Sequence, residues 1–217
     1  MFGSLSGEIA SRVSQASMGI IANDSLQMQY PLHAAAARGM AFVELYALYE
    51  FTVRGAVQAT LAAVAKGGVP TGMLPPSILA LILDGHWQSV SSSGRGSAFS
   101  KRIELLREAC AGQNVPQFDE TLFPTDGSHY RQKQLHTVWA ILGIAEPIVP
   151  EPRHLGRIEE LVENRNAIAH GRRTPVDVGR RYSRADIEVR VQDTAEICNH
   201  IVETLREHVA SGALLRR

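Results

Sequence analysis

Apolar residues recur at three- and four-residue intervals along much of the chain, a spacing that places them on one face of an α-helix. The clearest segment is 32–65, which contains no proline and only two glycines. The pair Gly67-Gly68 and the prolines that follow it end this predicted helix. Its apolar face consists of Phe42, Leu45, Tyr46, Tyr49, Val53 and Val57.

Five further segments have the same periodicity and are also predicted to be helices: 5–22, 101–110, 131–142, 155–170 and 184–210. No alternating pattern typical of a strand extends beyond four or five residues. The sequence therefore predicts an all-α helical bundle that forms a single domain over 1–217. The region 67–128 is predicted to be a loop-rich insertion or mobile region, with a short helix at 77–83 and a flexible loop at 89–97.

Composition narrows the functional classes only a little. The formal net charge is zero, so composition alone predicts neither a nucleic-acid binder nor a membrane-surface protein. Cys110 and Cys198 lie in no Cys-x-x-Cys or Cys/His cluster, which favours a reducing compartment and no structural metal. Residues 1–23 lack the pattern of a signal peptide, and charged residues interrupt the longest apolar stretches. We therefore expect a soluble cytoplasmic protein without cofactor, metal or membrane partner.

The most informative segment is 165–171, which ends the helix predicted at 155–170. A helix that ends in His-Gly is ordinary, because glycine takes the left-handed cap and histidine suits the helix dipole. Arg165, however, falls on the apolar face, where an unpaired guanidinium is costly, so this face must meet an anion, a carboxylate or another subunit. Arg165 and His170 diverge by about 140° around the axis. Two copies of the helix across a twofold axis would close the two side chains into one composite homodimer site.

The charge around this segment and its residue types indicate RNA cleavage without a metal. Residues 165–184 contain six arginines and one acid, Asp177, a net charge of +5 beside the motif. RNA supplies its own nucleophile, the 2′-hydroxyl, and histidine can act as base and acid near neutral pH. Arg165 would stabilise the charge that develops on phosphorus, and Asn166 would hold the His170 ring or a phosphate oxygen.

The pattern Arg165-Asn166-x-x-Ala169-His170-Gly171 resembles the signature of HEPN (higher-eukaryote and prokaryote nucleotide-binding) domains, in its bacterial branch. Residues 48–54 and 135–144 resemble further stretches of that branch, and the resemblance covers about 32–66 and 129–210. It implies a dimeric, metal-independent ribonuclease that acts as a toxin or antiviral effector, with an antitoxin or a defence-system protein as a possible partner. A catalytically inactive HEPN dimer that binds RNA, nucleotide or protein is the alternative.

Several other residues carry two interpretations each. Glu50 forms an i,i+4 pair with Arg54, typical of an ion pair, but the resemblance also allows it to orient Arg165 or His170. Three histidines lack metal-ligand spacing and are predicted to be structural or at the surface: His129, His136 and His154. The loop arginines are predicted RNA contacts, with plain solvation as the alternative: Arg172, Arg173, Arg180 and Arg181.

Overall fold

A computed structural model describes residues 1–25, 27–112 and 130–214. Within these ranges the chain forms helices and no strand, which confirms the all-α prediction. None of the described helices is both long enough and apolar enough to span a membrane. The helices are α1 (Phe2–Asp24), α2 (Pro31–Lys66), a 3-10 turn (Thr71–Met73), α3 (Pro76–Ile82), α4 (Asp84–Ser91), α5 (Arg95–Ala111), α6 (Gln132–Leu142), α7 (Arg153–Ala169), α8 (Pro175–Gly179) and α9 (Arg184–Ala210).

The chain divides into two compact units, of which the first consists of the described residues of Met1–Ala56, His129–Leu135 and Pro147–Thr204. Its core draws apolar side chains from α1, α2, α7, α8 and α9, and the residues of the predicted α2 face that belong to this unit, from Phe42 to Val53, are buried. This packing places α7, which carries the motif, against α2 and α9. The core cluster consists of Ala16, Ile20, Ala41, Phe42, Leu45, Leu161, Val178, Ile187 and Val191.

Two glycines allow the short helix α8 to lie directly on the backbone of α2. A Cβ atom at Gly179 would overlap the carbonyl oxygen of Ala35, and one at Gly39 would overlap the backbone of Pro175. Any larger residue at either position must push the two backbones apart. The contact fixes the position of α8 within the basic segment, by which we mean residues 172–184 and the arginines that they contain.

The second unit consists of the described residues of Val57–Ser128, His136–Glu146 and Leu205–Arg217. It contains the region predicted to be loop-rich, 67–128, of which residues 113–128 lie outside the described residues, as does His129. The predicted flexible loop at 89–97 is wrong, because α4 continues to Ser91 and α5 begins at Arg95. The serines explain the error: the Ser91 hydroxyl donates to the Trp87 carbonyl at 2.9 Å, one turn back, and is thus satisfied within a helix.

Candidate functional site

Local backbone hydrogen bonds and a left-handed glycine end α7. The amide of His170 donates to the Asn166 carbonyl at 3.1 Å and that of Gly171 to the Ile168 carbonyl at 3.0 Å. Gly171 has φ 66°, the left-handed conformation that glycine adopts without strain, so the chain reverses at this point. The amide of Arg173 donates a hydrogen bond to the Ala167 carbonyl at 3.0 Å. His170 is therefore the last residue of the helical turn before the chain leaves the axis.

The imidazole of His170 is exposed at this helix end. No hydrogen bond to its ring forms within the described ranges 1–25, 27–112 and 130–214. Its two ring nitrogens are therefore available to a substrate or to a second molecule. An imidazole group can serve as a general base or a general acid in proton transfer.

Arg165 is half-buried and has two contacts within its own chain. Its Nη1 donates to Asn166 Oδ1 at 3.1 Å, and its guanidinium carbon lies 5.1 Å from the centroid of the Tyr46 ring. The sequence predicted an anion, a carboxylate or another subunit on this face, and the structure places an aromatic ring and an amide there. The cation–π contact and a neutral hydrogen bond orient the guanidinium without cancelling its charge.

Asn166 is only 6% exposed, and its side-chain oxygen accepts from Arg165. The sequence predicted that this amide holds the His170 ring or a phosphate oxygen. The structure shows a third arrangement, in which the amide positions the neighbouring guanidinium.

Tyr46 supports Arg165 from α2, and the sequence analysis had assigned it only to the apolar core. Burial, reinforced by the charge of Glu50, raises the pKa of Tyr46 to about 12, although the amide of Tyr130 donates to its hydroxyl and Arg165 lies nearby. Glu50 therefore lies close enough to affect the phenols of Tyr46 and Tyr130 electrostatically. Within the described residues it forms no hydrogen bond with Arg165 or His170. Its orienting role stays a prediction.

The basic segment that follows the motif exposes all four of its predicted RNA contacts to solvent: Arg172, Arg173, Arg180 and Arg181. Asp177 is the acid among them; hydrogen bonds from Thr174 lower its pKa, and Arg180 and Arg173 add to the effect. These bonds form the capping box of α8. The side chain of Asp177 is therefore engaged at its own helix start.

Arg181 differs from the other three because its guanidinium is held by the protein. It donates to the side-chain oxygen of buried Asn164 and lies 5.4 Å from the centroid of the Tyr182 ring. The Tyr182 hydroxyl accepts from Asn164 Nδ2 and donates to Glu160 Oε1, both at 3.0 Å. This tyrosine was not among the residues predicted from the sequence, although an aromatic residue within a run of arginines is a signal for cation–π contacts.

Comparison with known families gives the wider setting of this site. A model of the MAE_28990-like HEPN family matches residues 2–211. No curated protein and no solved structure is significantly similar to the chain. The family match runs through 67–128 as well, the region that the sequence resemblance left unmatched. The chain belongs to the MAE_28990-like HEPN family, whose all-helical domain suggests a nuclease or RNA-related role.

Proposed function

We propose that this protein is a metal-independent endoribonuclease whose active site combines Arg165, Asn166 and His170 from two copies of the chain. The observation that carries the proposal is the contrast at the end of α7. The Arg165 guanidinium is held in place by its own chain, whereas the His170 ring is exposed and free of partners within the described residues. A fixed cation beside an available proton-transfer group suits phosphoryl transfer.

The chemistry requires two proton transfers. A neutral imidazole removes the proton from the 2′-hydroxyl as the 2′-oxygen bonds to phosphorus. The bond from phosphorus to the 5′-oxygen breaks, and a protonated imidazole donates a proton to that oxygen. The products are a 2′,3′-cyclic phosphate and a free 5′-hydroxyl. One chain supplies one His170, so a twofold pair supplies both the base and the acid.

The arginines stabilise the charge that this reaction builds up. The Arg165 guanidinium donates two parallel hydrogen bonds to the phosphate oxygens, and Asn166 keeps its planar group aligned for them. Three exposed arginines whose guanidinium groups are not held by Asn164 bind the flanking phosphates: Arg172, Arg173 and Arg180. Binding through phosphates makes RNA affinity fall as salt concentration rises. We place the enzyme in a toxin–antitoxin or anti-phage setting in the cytoplasm, where a partner protein restrains it.

The deciding assay is cleavage of a labelled RNA oligonucleotide in the presence of EDTA. The wild-type protein should produce 2′,3′-cyclic phosphate ends, and a single 2′-deoxy substitution at a cleaved position should block cleavage there. His170→Ala should lose about 10²- to 10⁴-fold in rate. His33→Ala, at an exposed histidine at the start of α2, is the matched control and should cleave normally. Undiminished cleavage by His170→Ala would contradict the proposal.

The shared site is tested by refolding wild-type chains together with an equal amount of inactive His170→Ala chains. If each site needs one imidazole from each copy, heterodimers are inactive, and only the quarter of the dimers that are fully wild type can cleave RNA. The rate should therefore be about a quarter of that of the same total amount of wild-type protein. A rate of about one half, as chains acting independently would give, would refute sharing. Wild-type protein that binds RNA with salt dependence but never cleaves it would instead identify an inactive HEPN binding module.

A further inference from the structure

A second cluster of polar groups lies at the start of α7, at the opposite end from the motif. The His154 imidazole is fully buried there, with Nε2 3.2 Å from Glu196 Oε2 and 3.6 Å from Asp193 Oδ1. Neither contact has hydrogen-bond geometry, and within the described part of the chain both ring nitrogens lack a hydrogen-bond partner. A buried imidazole in this state is costly unless something else occupies its lone pair.

The structure assigns to this cluster a binding site for a divalent transition-metal ion such as Zn²⁺, with His154, Asp193 and Glu196 as ligands. The three donor atoms lie within 4.8 Å of one another. Zinc bonds to nitrogen and oxygen at about 2.0–2.2 Å, so neighbouring ligand atoms of a tetrahedral site are about 3.4 Å apart. The two distances from His154 Nε2, 3.2 and 3.6 Å, lie on either side of that value.

The ligands come from two helices. Asp193 and Glu196 are three residues apart on α9, so both carboxylates face the same side of that helix, towards α7. His154 lies in the first turn of α7. The ion would therefore fasten the start of the motif helix to α9. The sequence predicted no metal because His154 lacks metal-ligand spacing to another histidine or to an acid, and these ligands are distant in sequence.

Two arginines neutralise the carboxylates when no ion is bound. Arg153 donates from Nη1 to Asp193 Oδ1 at 2.8 Å and from Nη2 to Glu196 Oε2 at 3.2 Å, so it occupies the two oxygens that the ion needs. Its side chain is 52% exposed and also bonds to Glu151, so it can swing towards solvent and keep a partner. Arg153 is thus a competitor that the ion displaces.

Arg157 makes a different contact. Its Nε donates to Asp193 Oδ2 at 2.8 Å, the oxygen that the ion does not use, and its Nη1 pairs with Glu160. Metal-bound carboxylates commonly accept such a second hydrogen bond from the surrounding protein, which fixes their orientation. Arg157 therefore stays in place as an outer partner of Asp193 when the ion binds.

The metal site is separate from the proposed ribonuclease site. His154 and His170 are 16 residues apart, which is about 24 Å along α7. The ion would contact neither RNA nor the reacting phosphate, so its role is structural. The inference does not depend on the proposed function, and a chelator would loosen the start of α7 without removing a catalytic group.

The test uses the full chain, stripped with a chelator and titrated with zinc sulfate alone. Calorimetry should show one ion per chain at this site, and the midpoint of thermal unfolding should rise with zinc concentration. Glu196→Gln, at a partly exposed position, should fold normally and lose this binding, and His154→Gln should lose it as well. Arg153→Gln removes the competitor and should tighten binding about threefold to tenfold.

Arg12→Gln, which breaks an exposed ion pair with Glu8 elsewhere in the protein, is the matched control and should not change zinc affinity. The inference is overturned by an absence of zinc uptake, or by uptake that survives both Glu196→Gln and His154→Gln. Stabilisation by acid instead of zinc also overturns it, because His154 would then be a protonated partner of the two carboxylates. No measurement here involves RNA, so failure of this inference and failure of the ribonuclease proposal are distinguishable.

Discussion

The hydroxyl of Tyr182 links the basic segment to α7, and its removal should destabilise the protein by a predictable amount. It accepts from Asn164 Nδ2 and donates to Glu160 Oε1, both at 3.0 Å. Asn164 is 6% exposed and accepts from Arg181 through its oxygen. Tyr182→Phe deletes both hydrogen bonds of the hydroxyl and leaves the ring in place, with its centroid 4.8 Å from that of Phe42.

The magnitude follows from the partners that remain. A hydrogen bond to a charged group contributes about 1.5–3 kcal/mol, but Glu160 keeps its ion pairs with Arg157 and Arg190, so only part of this is lost. The Asn164 amide loses its partner in a buried position, at a cost of about 1–3 kcal/mol. We therefore expect Tyr182→Phe to lower the free energy of unfolding by about 2–3 kcal/mol.

Urea denaturation at neutral pH, followed by circular dichroism, measures this difference, and its m-value should not change. Tyr30→Phe removes a hydroxyl from a side chain that is 54% exposed, and should change the free energy of unfolding by less than about 0.5 kcal/mol. A loss below about 0.5 kcal/mol for Tyr182→Phe would contradict this expectation, because the two hydrogen bonds would then contribute nothing beyond what water supplies.

Three further predictions concern Tyr46 and two glycines. Tyr46→Leu removes the ring beneath Arg165 and should lower the RNA cleavage rate about tenfold, whereas Tyr46→Phe should stay within about threefold; equal losses would assign the effect to the hydroxyl. Burial raises the pKa of Tyr46 to about 12, so the unfolded chain loses this proton first. The contribution of Tyr46 to the free energy of unfolding should therefore be constant below pH ~10 and should decrease by up to about 3 kcal/mol by pH ~12. Tyr46→Phe should not show this decrease. Gly179→Ala should lower the free energy of unfolding, measured by urea denaturation, by about 1–3 kcal/mol because its Cβ meets the Ala35 carbonyl. Gly156→Ala, which lies within α7 with open space around it, should raise this free energy by about 0.5–1 kcal/mol.

The features that the sequence predicted correctly depend on local periodicity. The predicted helix at 32–65 is α2, Pro31–Lys66, and its apolar face is buried. The predicted end of α7 at His170-Gly171 also matches, because a left-handed glycine after a helical stretch is a local signal. The loop predicted at 89–97 is wrong because the prediction rested on the serine and glycine content of this stretch and did not consider the hydrogen bonds that serine can form within a helix. Serine in the last turn of a helix can bond to a carbonyl one turn back, so a serine run does not by itself end a helix.

The side-chain partners of the motif were not predictable, because they lie far away along the chain. Phasing placed Arg165 on the apolar face of α7, but it could not tell which group of another helix faces it. Tyr46 on α2 fills that place, and Asn166 turns towards Arg165 instead of towards His170. The same limit hid the cluster at His154, whose carboxylate neighbours belong to α9. Which side chains of different helices become neighbours depends on how the helices pack, and the periodicity of a single sequence does not specify that packing.

The support of Arg165 within its own chain bears on how a shared site would work. In the proposed dimer, each copy already holds its guanidinium on Tyr46 and Asn166, so association has no arginine to reorient. In the same proposal, the exposed His170 ring gains its partners from the second copy and from RNA. Arg165→Lys should therefore fail even though the charge is kept, because an ammonium group can neither stack as a plane on Tyr46 nor donate two parallel hydrogen bonds to a phosphate. Wild-type cleavage by Arg165→Lys would mean that the site needs only a positive charge, and that the planar contacts with Tyr46 and Asn166 serve the fold alone.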